Sequence, residues 1–189
     1  MPNLITHYYF AKKVEKDLSP TAKEITASCP DAFKLGSMGP DYLFILRELG
    51  FKEKRYPNSL QYRKVFETFE STANYLNKNP DKTMLSYMLG FICHYAADRL
   101  AHAYVYYFCE EVMHKRMERR YHTAMHTLIE SAMDCKVLEN EGEDYTKYPA
   151  HTVISAPKKI RLKIGKLYED AINDIYGIDL TPKRAALAF

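Results

Sequence analysis

His94, Asp98 and His102 follow one another at steps of four residues. Four residues of α-helix turn through about 400°, so the three side chains would stand on one slowly drifting stripe. His122, His126, Glu130 and Asp134 repeat the same step in a second stretch. Imidazole and carboxylate are ligands that zinc accepts in open sites, and iron and manganese accept them too. Two facing helices that each carry an inward stripe of this kind build a metal site in a bundle core. The alternative for any one of these histidines is a buried, hydrogen-bonded core residue; so many matched candidates on two helices favour metal.

The elements that must position these residues are legible as helices. Met84, Leu85, Met88, Leu89, Ile92 and Ala96 recur at three- and four-residue steps without proline, which predicts a central helix from the turn and cap Asn79-Pro80-Asp81 through Val105 and Phe108. Leu4, Tyr8, Ala11 and Val14 predict a first helix that carries His7. Ser19-Pro20 caps and opens a second, and Cys29-Pro30-Asp31 breaks it before a short helix through Phe33 and Leu35. The stretch Gly36 to Phe44 reads as a turn, with Gly39-Pro40 presenting Asp41 from a defined corner.

Residues 50–57 read as a basic surface loop, and Asn58 or Ser59 as the cap of a helix through about Asn77 that buries Leu60, Val65, Phe66, Phe69, Ala73 and Leu76. The charged connection 109–120 holds His114, read as solvated. Tyr104, Tyr106, Tyr107 and Phe108 offer either an apolar approach for lipid or, as helical spacing favours, core. Pro157 opens a last long helix with Ile160, Ile164, Leu167, Tyr168, Ala171, Ile172 and Ile175 on one side, closed by Gly177, and Thr181-Pro182 caps a final turn or two. No strand pattern or internal repeat is present. The expectation is one all-α domain, residues 1–189.

Composition sets the bounds. The 189 residues, 47% hydrophobic and 27% charged, suit a globular domain with its own core. A net charge of +3 gives no footprint for nucleic acid. Cys29, Cys93, Cys109 and Cys135 form no CxxC pair, and the start Met-Pro-Asn-Leu-Ile-Thr-His carries no secretion signal, so free thiols and a cytoplasmic location are expected. His94 and Asp98 interrupt the best candidate for a membrane span.

Thr6-His7-Tyr8, Leu35-Gly36 through Gly39-Pro40-Asp41, Gly90 through Asp98 with His102, His126-x-x-x-Glu130 with Asp134, and Tyr168 through Gly177 occur in an order that resembles the zinc-dependent phospholipase C family, over nearly the whole chain. The resemblance implies an all-α bundle with two or three zinc ions, a fold shared with zinc-dependent single-strand nucleases. It implies Asp98 as a carboxylate bridging a central metal pair with His94, and His102, His126 and Glu130 around a further zinc. By the same resemblance His7 would complete a site near the N-terminus, Asp41 would be a ligand or the base that orients the attacking water, and His122 and Asp134 would orient ligands.

The chain departs from the family pattern where no histidine stands between Asp41 and His94; Gln61 occupies the nearest candidate position. In secreted relatives the mature N-terminal residue is itself a ligand, whereas this chain starts Met1-Pro2. The implied activity is hydrolysis of a phosphodiester, either a phospholipid head group at a transient membrane surface or a small soluble ester. The competing readings are a nuclease of the same fold, which the modest charge disfavours, and a helical protein that binds metal or a lipid head group without turnover.

Overall fold

The computed structural model describes residues 4–43, 64–113, 122–177 and 179–189, which form helices and turns with no strand among them. The helices are α1 (Leu4–Glu15), α2 (Pro20–Ser28), α3 (Pro30–Ser37), α4 (Val65–Lys78), α5 (Lys82–Tyr107), α6 (His122–Asn140), α7 (Ala150–Val153), α8 (Lys158–Leu167), α9 (Asn173–Tyr176) and α10 (Pro182–Ala188). A 3-10 turn, Gly39–Leu43, follows α3. Wider π turns follow α5 and α8, at Phe108–Met113 and Tyr168–Ile172.

Helix α5 is the axis of the fold. Asp81 caps it by accepting from the amides of Thr83 and Met84 at 2.8 and 3.1 Å. Its apolar residues are spread around the helix, and it packs against α1, α2, α3, α6 and α8. Met84, Tyr87, Met88 and Phe91 enter the main core with Leu35, Leu167 and Tyr168, and the Tyr87 and Tyr168 hydroxyls pair at 2.8 Å. Val105, Cys109 and Ile129 form a second apolar cluster towards the other end of the helix. The stretch that holds His94, Asp98 and His102 lies between these two clusters.

The closest packing is α3 on α5. A Cβ on Gly36 would stand 2.0 Å from the Tyr87 carbonyl oxygen, and one on Gly90 2.2 Å from the Phe33 carbonyl oxygen. Backbone therefore meets backbone, and this contact fixes how near the corner after α3 comes to α5. Gly90→Ala is expected to cost about 3 kcal/mol by overpacking. In a chain of this size that lowers the melting temperature by about 6–12 °C; thermal unfolding by circular dichroism checks it, and an unchanged transition would refute the close approach.

Caps agree with the sequence. Ser19 and Thr181 accept from the amides of Ala22 and Arg184, and Gly177 closes α9 at φ 63°. Three expectations need correction. The last long helix is broken by the π turn Tyr168–Ile172 into α8 and α9. On α4, Phe66 is 82% exposed and Ala73 is exposed as well, while Thr68 and Thr72 are buried. Those hydroxyls tolerate burial because Thr68 binds the Lys64 carbonyl and the Tyr176 hydroxyl and Thr72 donates to the Thr68 carbonyl. Tyr104, Tyr106 and Tyr107 are exposed rather than core, since on these turns Val105 takes the side that packs against Ile129. The four cysteines are free thiols. No helix of the described residues is long and apolar enough to cross a membrane. The expectations for residues 50–57, Asn58, Ser59, Leu60 and His114 fall outside the described residues.

Candidate metal centre

Three elements converge on the middle of α5. Helix α1 brings His7, the 3-10 turn brings Asp41, α5 brings His94, Asp98 and His102, and α6 brings His126 and Glu130. Their donor atoms fall into two groups. His7, Asp41 and His94 each offer one atom, all within 4.8 Å of one another, and His102, His126 and Glu130 do the same. Asp98 stands between the groups: Oδ1 is 3.2 Å from His7 Nε2 and 3.3 Å from His102 Nδ1, and Oδ2 is 3.6 Å from His94 Nε2. In the second group Glu130 Oε1 lies 2.9 Å from His126 Nε2 and 3.5 Å from His102 Nε2.

Local structure explains these positions. Gly39 adopts φ +52°, and a Cβ there would stand 2.3 Å from His94 Cδ2, so the turn that carries Asp41 lies flat against the His94 ring. Asp134 belongs to neither group. Its carboxylate accepts from the Ile5 amide at 3.3 Å, the Thr6 amide at 2.8 Å and the Thr6 hydroxyl at 2.6 Å. A carboxylate on the first turn of a helix satisfies amides that have no partner within the helix and meets its positive end. Asp134 thus anchors α1 one residue from His7. Sequence reasoning found Asp134 by its spacing but missed Thr6 as its partner and Gly39 as the wall behind His94. Tyr106, offered by the sequence as a lipid approach but favoured as core, stands beside the outer group; its ring lies 5.4 Å from that of His102 and 5.5 Å from that of His126. Gln61 and the His122 side chain fall outside the described residues.

Burial and mutual charge set the protonation of the inner group. Burial pushes the Asp41 carboxyl up to about 7, with Asp98 and Glu130 adding to it and His7 opposing. Burial, helped by His7, lowers His94 to about 3, so its imidazole is neutral, the form that ligates metal. At His7 burial disfavours charge, but the bond and charge of Asp98, with Asp41 and Asp134 behind it, outweigh that and raise its pKa. At Asp98 burial is overcome by bonds from His102 and His7, which hold the carboxylate below its ordinary range.

Asp98 Oδ2 and both oxygens of Glu130 are enclosed without a hydrogen bond among the described residues. The short approach of His126 Nε2 to Glu130 Oε1 therefore lacks the angles of a hydrogen bond. Enclosed carboxylate oxygens without donors are costly, and a divalent cation placed among them and the imidazoles removes the cost. On this evidence the residues fit zinc.

The family model described as zinc dependent phospholipase C matches residues 6–177. The chain belongs to the zinc-dependent phospholipase C family. Its match covers every residue of the two donor groups, from His7 to Glu130, and stops short of α10. No curated protein and no solved structure matches the chain. Membership of the zinc-dependent phospholipase C family, together with the two groups, supports a metal-dependent hydrolase with zinc as its metal.

A pH dependence follows for the metal. A zinc ion held by Asp41 and His7 would need the first ionised and the second neutral, whereas burial pushes Asp41 up to about 7 and Asp98 raises His7. Each bound proton must leave, so below pH 7 affinity is expected to fall roughly ten-fold per pH unit per displaced proton. Chelator competition at pH 7.5 and 6.0 measures it; equal affinities at the two values would contradict the assignment of these two ligands.

Proposed function

We propose that this chain is a phospholipase C-like phosphodiesterase that hydrolyses a phospholipid head-group ester, or a soluble ester of the same chemistry, at the paired donor groups. The observation that carries this is the placement of Asp98, whose carboxylate faces His7 on one side and His102 on the other. Zinc held in the two groups would polarise the phosphoryl oxygens and bring the pKa of a bound water towards neutrality.

The chain's own residues supply the rest. Asp98 joins the two groups through one carboxylate. Asp41, buried at the inner group, would serve as a ligand or as the base that orients the attacking water. Asp134 and Gly39 hold His7 and His94 in register without entering either group. Access comes from the outer group, because the side chains of His102 and His126 are 12% and 24% exposed while His7 and His94 are almost fully enclosed. Tyr106, half in solvent and beside both outer imidazoles, flanks that entrance. The substrate's phosphate would therefore enter on the Tyr106 side.

The test is hydrolysis of a chromogenic phosphocholine diester by protein purified without chelator. Activity is expected to disappear on metal removal and to return when two or three equivalents of zinc are restored. Zinc-loaded, folded protein that cleaves no phosphodiester in a panel of head groups would overturn the reading in favour of a binding protein.

A further inference from the structure

A groove of about 530 Å³ opens between α8 and α10, and no donor of either metal group lines it. Lys158, Arg161, Leu162, Lys183, Ala186 and Leu187 line it. None of these residues lies on an element that carries a metal-site residue, and α10 lies beyond the stretch matched by the family model.

Its lining is divided. Leu162, Ala186 and Leu187 form an apolar wall, and Leu187 is 61% exposed. Lys158, Arg161 and Lys183 bring three cations, and among the described residues no acidic side chain lines the groove. Neighbouring lysines are neutralised, Lys163 by Asp81 and Lys166 by Glu169 and Asp170, whereas Lys158 and Lys183 make no ion pair among the described residues. Arg161 Nη1 donates to the Ala186 carbonyl at 2.8 Å, which fixes the guanidinium against α10, and its Nε is enclosed without a hydrogen-bond acceptor among the described residues.

Local helix physics does not ask for these cations. Lys158 and Lys183 stand in the first turns of α8 and α10, neither of which holds an acid there. Cations at that end oppose the helix dipole, so the sequence accepts a local cost where the groove gains charge. Residues that break a local rule in this way are candidates for function.

We propose that this groove binds a single-chain amphiphile of the fatty-acid class, with the acyl chain along Leu162, Ala186 and Leu187 and the carboxylate among Lys158, Arg161 and Lys183. The volume is in the range of small-ligand sites. The planar carboxylate suits a fixed guanidinium better than a bulky zwitterionic head does. The site does not depend on how the metal centre is read.

The experiment is calorimetric titration of the metal-loaded protein with monomeric dodecanoate, in excess acetate so that carboxylate affinity of the metal centre is saturated throughout. One saturable site per chain is expected, with no binding of dodecyl maltoside, which has the same chain and a neutral head. Lys158→Glu/Lys183→Glu is expected to weaken dodecanoate at least about ten-fold through charge reversal, with an unchanged or higher melting temperature, because an acid in the first turn of each helix complements its dipole. Leu187→Ser, an exposed change that leaves the charges intact, is expected to weaken it several-fold. Absence of saturable binding, equal binding of the maltoside, affinities untouched in both variants, or binding to anionic vesicles without binding of monomeric dodecanoate would each overturn the proposal; the last would mark a membrane-facing patch instead.

Discussion

Asp98→Asn is expected to release metal from both donor groups and to abolish phosphodiester hydrolysis. Asp98 Oδ1 lies 3.2 Å from His7 Nε2 and 3.3 Å from His102 Nδ1, so a single carboxylate serves both sides. An amide keeps the shape but offers one weak acceptor oxygen and turns an N–H₂ towards one of the groups. Loss of a group that merely orients a ligand costs about 10–100-fold in metal affinity. A carboxylate shared by two groups is expected to cost at least the upper end of that range. Elemental analysis and chelator competition read the metal independently of activity. The folded state should survive, because the variant exchanges nearly isosteric groups and removes an enclosed charge. A variant that retains its full metal content and rate would sink the placement of Asp98 between the two groups.

Gly39→Ala separates the two groups from each other. The position adopts φ +52°, which costs a non-glycine residue about 1–2 kcal/mol. The added methyl would also stand 2.3 Å from His94 Cδ2 and 2.5 Å from its Cγ, so the ring must move. His94 belongs to the inner group, and the three atoms nearest the added methyl are all of its ring. The expected outcome is a folded protein that loses about one metal per chain from the inner group, keeps the outer one, and hydrolyses phosphodiesters at least about 100-fold more slowly. Metal content per chain with a melting curve decides it. Loss of all metal together with unfolding would mean that the turn supports the whole bundle and not the inner group.

Asp134 shows how one side chain can be legible in spacing and opaque in role. Its place four residues after Glu130 puts it on the ligand stripe of α6, yet it spends its carboxylate on Ile5 and Thr6 at the start of α1. Nothing in the local sequence of α6 specifies a partner 128 residues away in the chain. Tyr104 and Phe66 make the same point for burial. Both fit a helical period, but whether a stripe is covered depends on which neighbour reaches it, and here Tyr104 and Phe66 are left 53% and 82% exposed.

The sequence by itself determined the all-α class, the capped axis of α5, and the stripe on which His94, Asp98 and His102 stand, because helical period, proline and capping chemistry act within a few residues of one another. The order of its motifs also pointed to the family that the match over residues 6–177 establishes. Only the tertiary structure decided which donors share a group. His7, Asp41 and His94 meet because Gly36 and Gly90 let two backbones approach until the turn at Gly39 rests on the His94 ring. That distance is a property of packed surfaces from separate parts of the chain, which no local pattern encodes.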